Sequence, residues 1–270
     1  LSLLSYSSGD KILLAASKAK RVDHDVHPKL FNVVEEMKIA SGLPMPKVYI
    51  INDPAPNAFA TGRKPETASV AVTAGLLSRQ NRDELQGVIA HEMRHILHRD
   101  IVLVSMGGIM LGSIVLLSEV FLRGMFYSSL MGGRRRRFSS GSGGGGQAQI
   151  IMMIIAIAAA ILAPIMAYVL YFALSRRREY LADAGAARLT RYPEGLANAL
   201  EKISTNTQKM ETATKVTAPM YIVNPLKAVG GKLSNLSSTH PPISERISIL
   251  RNMAGGCSFR DYAGARVWPC

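Results

Sequence analysis

Two long apolar stretches interrupt this chain, and they restrict its possible folds more than any other feature. Residues 101–122 carry a single charged residue, Glu119, and residues 149–174 carry none. As a helix the first would run about 33 Å, enough to cross a hydrocarbon core of roughly 30 Å. The second contains 12 Ile, Leu, Val or Phe residues. At about −0.3 to −0.6 kcal/mol each, they supply roughly −4 to −7 kcal/mol toward membrane insertion. A helix buried in a soluble core rarely runs past about 20 residues without a polar face. Both stretches therefore read as transmembrane helices, at 101–123 and 149–174. The Gly-, Ser- and Arg-rich residues 124–148 between them read as an exposed flexible loop. Two crossings return the chain to the side it left, so the segments before and after the pair share one compartment.

Charge agrees with this placement. The chain has a formal net charge of +13, and its basic residues crowd beside the apolar stretches: Arg94, Arg99, Arg123, the run at 134–137 and the run at 176–178. Such residues suit anionic lipid headgroups. A basic face interleaved with aromatic residues is missing, which excludes nucleic acid as a partner. The two cysteines, Cys257 and Cys270, have no metal-ligand spacing and form no disulfide framework. The sequence starts at Leu1, and residues 1–6 are consistent with the end of a longer apolar segment.

The remaining sequence predicts a mixed, mostly helical domain. Residues 1–22 read as a juxtamembrane segment, with an amphipathic helix over 10–21. His27-Pro28 opens a helix with Leu30, Val33, Val34 and Met37 on one face, and Gly42-Leu43-Pro44 ends it. Lys47–Ile51 and residues 67–73 read as strands, with a loop at 53–56 between them. Further helices are predicted over 83–100, 175–188, 193–203 and 243–253, and the polar residues 205–215 as a mobile connection. The domain would thus comprise 23–100 and 175–254, with a tail at 255–270.

The sharpest chemical signal is His91-Glu92-Met93-Arg94-His95 in the helix predicted over 83–100. Histidines at i and i+4 project from one helical face and can reach a single zinc ion. Glu92 between them is placed to take a proton from an attacking water. A catalytic zinc needs a third protein ligand and an open position. His98 lies about 10 Å from His91 along an unbroken helix, too far to share the ion, and reads as a surface or supporting residue. Glu179 and Asp183 lie one turn apart on one helical face. One carboxylate can bind zinc while the other accepts the free N–H of a liganding histidine. The simpler alternative is that both pair with neighbouring arginines on a solvated face.

In combination, these motifs resemble the HtpX family of membrane-bound zinc endopeptidases, relatives of the CAAX-prenyl proteases. The resemblance rests on residues 56–62, 87–92 and 175–183, and on Ser238-Thr239-His240-Pro241-Pro242 followed by Glu245-Arg246-Ile247. It implies an α+β, zincin-like (gluzincin-type) catalytic domain, mostly helical with a small β-sheet, interrupted by a transmembrane helical hairpin. It implies one Zn2+ per chain on His91, His95 and Glu179, with Asp183 supporting a ligand. Catalysis would rest on Glu92, with His240 and Arg246 near the reacting carbonyl. Asn57, Ala58 and Phe59 would lie beside the substrate, which could add to the strand edge around Asn57 and Val70. Taken without the resemblance, His240 reads as a helix cap and Arg246 as a residue on a solvated face.

By the same likeness the chain is a multi-pass protein of the inner (cytoplasmic) membrane, with its active site facing the cytoplasm. Its partners would be the bilayer and unfolded or membrane protein substrates, in stress response and protein quality control. The arginine run at 134–137 sits on the opposite loop, against the positive-inside expectation. Members of the family usually begin with two apolar segments that this sequence does not contain, and commonly carry asparagine where His98 stands. The alternatives are a CAAX-type prenyl-protein processing protease and a non-catalytic membrane scaffold. Glu92 argues against the scaffold, since zinc binding alone does not require it.

Overall fold

The computed structural model describes residues 10–131, 145–213, 217–225 and 240–255. The start at 1–9, the arginine run at 134–137, residues 214–215 of the expected connection, Ser238-Thr239, and the tail from 256 with both cysteines lie outside these residues. The chain divides into two compact units, Leu1–Leu103 with Ser175–Cys270, and Val104–Leu174. In chain order the strands are β1 (Lys20–Arg21), β2 (Lys47–Ile51), β3 (Ala58–Thr61) and β4 (Ser69–Thr73). The helices are α1 (Pro28–Ser41), α2 (Ala74–Arg79), α3 (Arg82–Leu97), α4 (Asp100–Met131), α5 (Gly145–Thr190), α6 (Pro193–Ser204) and α7 (Ile243–Ala254).

The first unit is built on a mixed sheet of order β1-β2-β4-β3. β2 runs parallel to β4, while β1 and β3 pair antiparallel with β2 and β4. Alternation along the strands sorts side chains to two layers. Val70 and Val72 of β4, with Ala58 and Ala60 of β3, join the main core of α1, α3, α6 and α7, including Leu30, Val88, Met93, Leu200 and Leu250. Ala71 and Phe59 point the other way and pack with Leu14, Ile51 and Tyr221. β4 thus lies between two other strands. The substrate edge expected around Val70 is not available there, and the edge strands of the sheet are β1 and β3.

Three further readings of the sequence change. The strand expected over 67–73 begins at Ser69, because Pro65–Thr67 closes a 3-10 turn first. β3 and α2 were not expected; α2 starts where the Thr73 side chain accepts the Leu76 N–H. The connection expected to be mobile is tethered. Asp53 Oδ2 accepts the backbone N–H groups of Glu211 and Thr212, and the Thr212 hydroxyl, at 2.9–3.0 Å. Arg79 donates to the side chains of Asn206 and Gln208.

Helix α3 starts with a capping box. The Asn81 side chain accepts the Glu84 N–H, and the Glu84 carboxylate accepts the Asn81 N–H, both at 2.8 Å. It then packs against α6 at Gly87, where a Cβ would stand 2.7 Å from Leu196 N and 2.9 Å from Leu196 Cα. Gly87→Ala is therefore expected to lower stability by about 1–3 kcal/mol through overpacking. A thermal unfolding midpoint equal to that of the unmodified chain would contradict this contact.

The second unit is helical. α4 contains Met110–Tyr127, a segment long and apolar enough to cross a membrane, with none of its residues buried. The apolar part of α5 ends at Leu174, before Arg176, and its large side chains are exposed, among them Ile154, Leu162, Val169 and Leu174. Exposed apolar surface on this scale requires lipid or a partner. Glu119 meets Arg123 one turn later at 3.8 Å. The helices run further than expected: residues 124–131 and 145–148, read as loop, are helical.

Candidate metal centre

The site begins on α3. His91 and His95 stand one turn apart, and their Nε2 atoms approach to 3.0 Å. α5 then brings in Glu179, with Oε2 3.6 Å from His91 Nε2 and Oε1 3.5 Å from His95 Nε2. The ligand atoms of these three residues lie within 4.8 Å of one another. An ion bound tetrahedrally at 2.0–2.1 Å spaces its ligands about 3.3 Å apart. The separations of 3.0–3.6 Å among the three side chains are close to that spacing.

The opposite nitrogen of each ring faces a carboxylate. His91 Nδ1 lies 3.0 Å from Asp183 Oδ1, and His95 Nδ1 lies 2.8 Å from Asp100 Oδ2. A carboxylate at Nδ1 holds the proton there and leaves the Nε2 lone pair for a cation. Both carboxylates are themselves braced. Arg246 Nε and Nη2 donate to Asp183 at 2.7 Å each, and Arg178 Nε lies 2.9 Å from Asp100 Oδ1. Arg246 is fully buried, and its Nη1 donates to Ile222 O at 3.1 Å and lies 3.4 Å from Glu179 Oε2. The solvated-face reading of Arg246 is thereby excluded.

Electrostatics agree with a cation site. Burial alone would favour neutral His91, but Asp183 and Glu179 outweigh it and push its pKa up to about 9. Burial likewise opposes ionisation of Glu179, yet His240, His91, His95 and Arg246 hold its pKa well below the usual carboxylate range. Glu92 behaves differently. Burial raises its pKa against the opposing charges of His91 and His95; Glu179 adds to the rise, and a hydrogen bond from the Ala60 backbone opposes it. When ionised, the four carboxylates of Glu92, Asp100, Glu179 and Asp183 face two guanidiniums, Arg178 and Arg246. Glu179 Oε2 is buried with no hydrogen-bond donor, the orphan a bound cation would satisfy. The residues fit a metal.

His240 reaches the same cluster, with Nε2 3.8 Å from Glu179 Oε1; burial depresses its pKa. Asn57 turns inward: its Nδ2 donates to Val223 O at 2.8 Å, and its Oδ1 accepts the Ala58 N–H. Phe59 is also buried, edge-on to Tyr221 at 5.1 Å. His98 caps the end of α3, and its ring meets Arg94 at 2.6 Å.

Asp100 and Arg178 escaped the sequence reading. On the continuous helix expected over 83–100, Asp100 would face away from His95, five residues earlier. Instead α3 stops at Leu97, and Arg99 takes a left-handed conformation at φ 52°, turning Asp100 back onto His95. The available signal was an acidic residue placed directly before an apolar stretch.

A metal-competent site of two helix-borne histidines and a distant carboxylate, on a chain with two membrane-length helices, defines the class: a membrane-bound metalloprotease. The chain belongs to peptidase family M48, whose family model matches residues 25–254. It is 48% identical over 260 residues to the "Protease HtpX homolog" of Dictyoglomus thermophilum, covering 96% of this chain and 80% of that protein. The protein of the same name in Listeria innocua is 50% identical over 252 residues, covering 93% and 82%. Among solved structures, Ste24p of S. mikatae shares the fold with a TM-score of 0.53 at 20% identity, over 92% of this chain and 56% of that one.

Proposed function

We propose that this metalloprotease is a zinc endopeptidase of zincin-like fold that cleaves misfolded or damaged membrane proteins at the cytoplasmic face of the inner membrane. The convergence of His91, His95 and Glu179, with both Nδ1 atoms held by carboxylates, carries the reading. Zinc on these three side chains would polarise the scissile carbonyl and acidify water. Glu92, buried and with a raised pKa, takes a proton from the attacking water and passes it to the leaving amine. His240 lies at the cluster beside Glu179 and donates to the developing oxyanion. Arg246 has committed its N–H groups to Asp183 and Ile222, so its role is to hold Asp183 and, through it, His91. An extended substrate would lie along the outer edge of β3, bonding through its backbone. Part of that edge is already occupied, since the Ile222 N–H donates to Ala58 O at 2.9 Å.

The test is cleavage of unfolded casein by the detergent-solubilised chain. A chelator such as 1,10-phenanthroline should abolish turnover, and stoichiometric zinc should restore it. Cleavage that persists after complete removal of metal would end the proposal. The prenyl-protein alternative uses the same chemistry, and a farnesylated CAAX peptide cleaved in preference to casein would favour it. Asp100→Asn should weaken zinc binding about 10–100-fold, as loss of a carboxylate behind a histidine ligand does. Competition with a chromogenic chelator measures this. Affinity equal to that of the unmodified chain would remove Asp100 from the site.

A further inference from the structure

We propose that a cavity between the C-terminal ends of α1, α3 and α5 is a binding site for a phosphate group. Its volume is about 620 Å³, within the roughly 300–1,000 Å³ usual for ligand pockets. Arg94, Arg188 and Arg191 are its charged lining residues, and no Asp or Glu lines it. Among the described residues none of the three forms an ion pair with a carboxylate; the acid whose charge reaches Arg94, Asp100, is already engaged by His95 and Arg178.

Arg94 is held in place, its Nη2 meeting His98 Nε2 at 2.6 Å, while Arg188 and Arg191 are exposed. The Arg94 stem runs over Gly185, where a Cβ would stand 2.0 Å from Nε, so any other residue at 185 would displace the guanidinium. Arg94 Nε is buried without a hydrogen-bond partner. Arg188 is near enough for its charge to weigh on Arg94, and Arg191 sits in a left-handed turn at φ 53° after α5. Helix ends do not supply the missing charge. Each C-terminus offers about half a negative charge, so three together offset no more than half of three guanidiniums.

A tetrahedral oxyanion can accept from two or three guanidinium forks at once, whereas a carboxylate is matched by one. The space exceeds what a bare phosphate fills, and Leu97 and Leu189 add apolar wall, which suits a phosphate ester. Leu97 is four residues from Ile101, where the first apolar stretch begins, a reach of at most about 14 Å. A phospholipid headgroup and a soluble phosphate ester are therefore the two sources of the same chemistry.

The experiment uses the whole chain in nanodiscs of phosphatidylcholine, followed by thermal unfolding. One arm titrates inorganic phosphate at an ionic strength held constant with chloride; the other replaces part of the lipid with phosphatidylglycerol. A saturable rise in the unfolding midpoint is expected in at least one arm. A response to phosphate alone identifies a soluble ester, and a response to phosphatidylglycerol alone a headgroup. Where both respond, phosphate should displace the lipid effect. In R188Q/R191Q the apparent affinity should fall about tenfold per arginine lost. Ser41→Glu, which places a carboxylate at the cavity wall, should abolish the response independently. Absence of any saturable rise in both arms, or a response unchanged in both variants, overturns the site.

Discussion

Glu92→Gln is expected to reduce peptide hydrolysis by about 10²–10⁴-fold, the usual worth of a positioned general base, while one zinc per chain is retained. Glutamine matches glutamate in size and can still meet the Ala60 backbone, so the packing of α3 survives the change. What it loses is the ability to accept a proton. Glu92 is 2% exposed and sits among the charges of His91, His95 and Glu179. Its raised pKa brings it closer to working pH, where a base can both take and return a proton. The readouts are casein turnover and metal content of the same preparation. Full turnover with zinc bound would place the proton transfer on another group.

The second large effect concerns stability. Arg246→Met should destabilise the domain by about 3–5 kcal/mol, because removing one partner of a buried ion pair strands the other. Here the stranded groups would be Asp183, bonded to Arg246 at two positions, and Glu179 at 3.4 Å. For a domain of this size the unfolding midpoint should fall on the order of 10 °C. Arg246→Lys should recover part of that loss, since it restores the charge without the fork. With Asp183 no longer held, His91 should bind metal less tightly, which chelator competition reads separately from stability. A midpoint within a degree or two of the unmodified chain would show that Asp183 does not depend on Arg246.

The parts of this protein that were legible in sequence are those governed by local spacing. The i, i+4 relation of His91 and His95 survives any tertiary context, because helical geometry alone sets it. The apolar stretches needed only length and composition, and α1, α6 and α7 only periodicity and their prolines. Glu179 could be proposed because zinc chemistry demands a third ligand and a helical carboxylate pair was at hand. β3 and α2 were obscured by their shortness: four and six residues carry too little pattern to stand out beside Pro54 and Pro56. Asp100 was hidden for another reason. Its position depends on a backbone reversal at Arg99 that no side-chain period encodes.

Sequence by itself determined the two histidines on one helical face, the glutamate between them and the apolar stretches, since each follows from the regular geometry of a single element. Only the tertiary structure decided which groups stand behind those histidines. It placed Arg246 in the core instead of on a solvated face, bound Asn57 to Val223 and turned Asp100 onto His95. The physical reason is that a buried charge is stable only where partners from distant segments neutralise it, and the meeting of distant segments is a property of the packed chain.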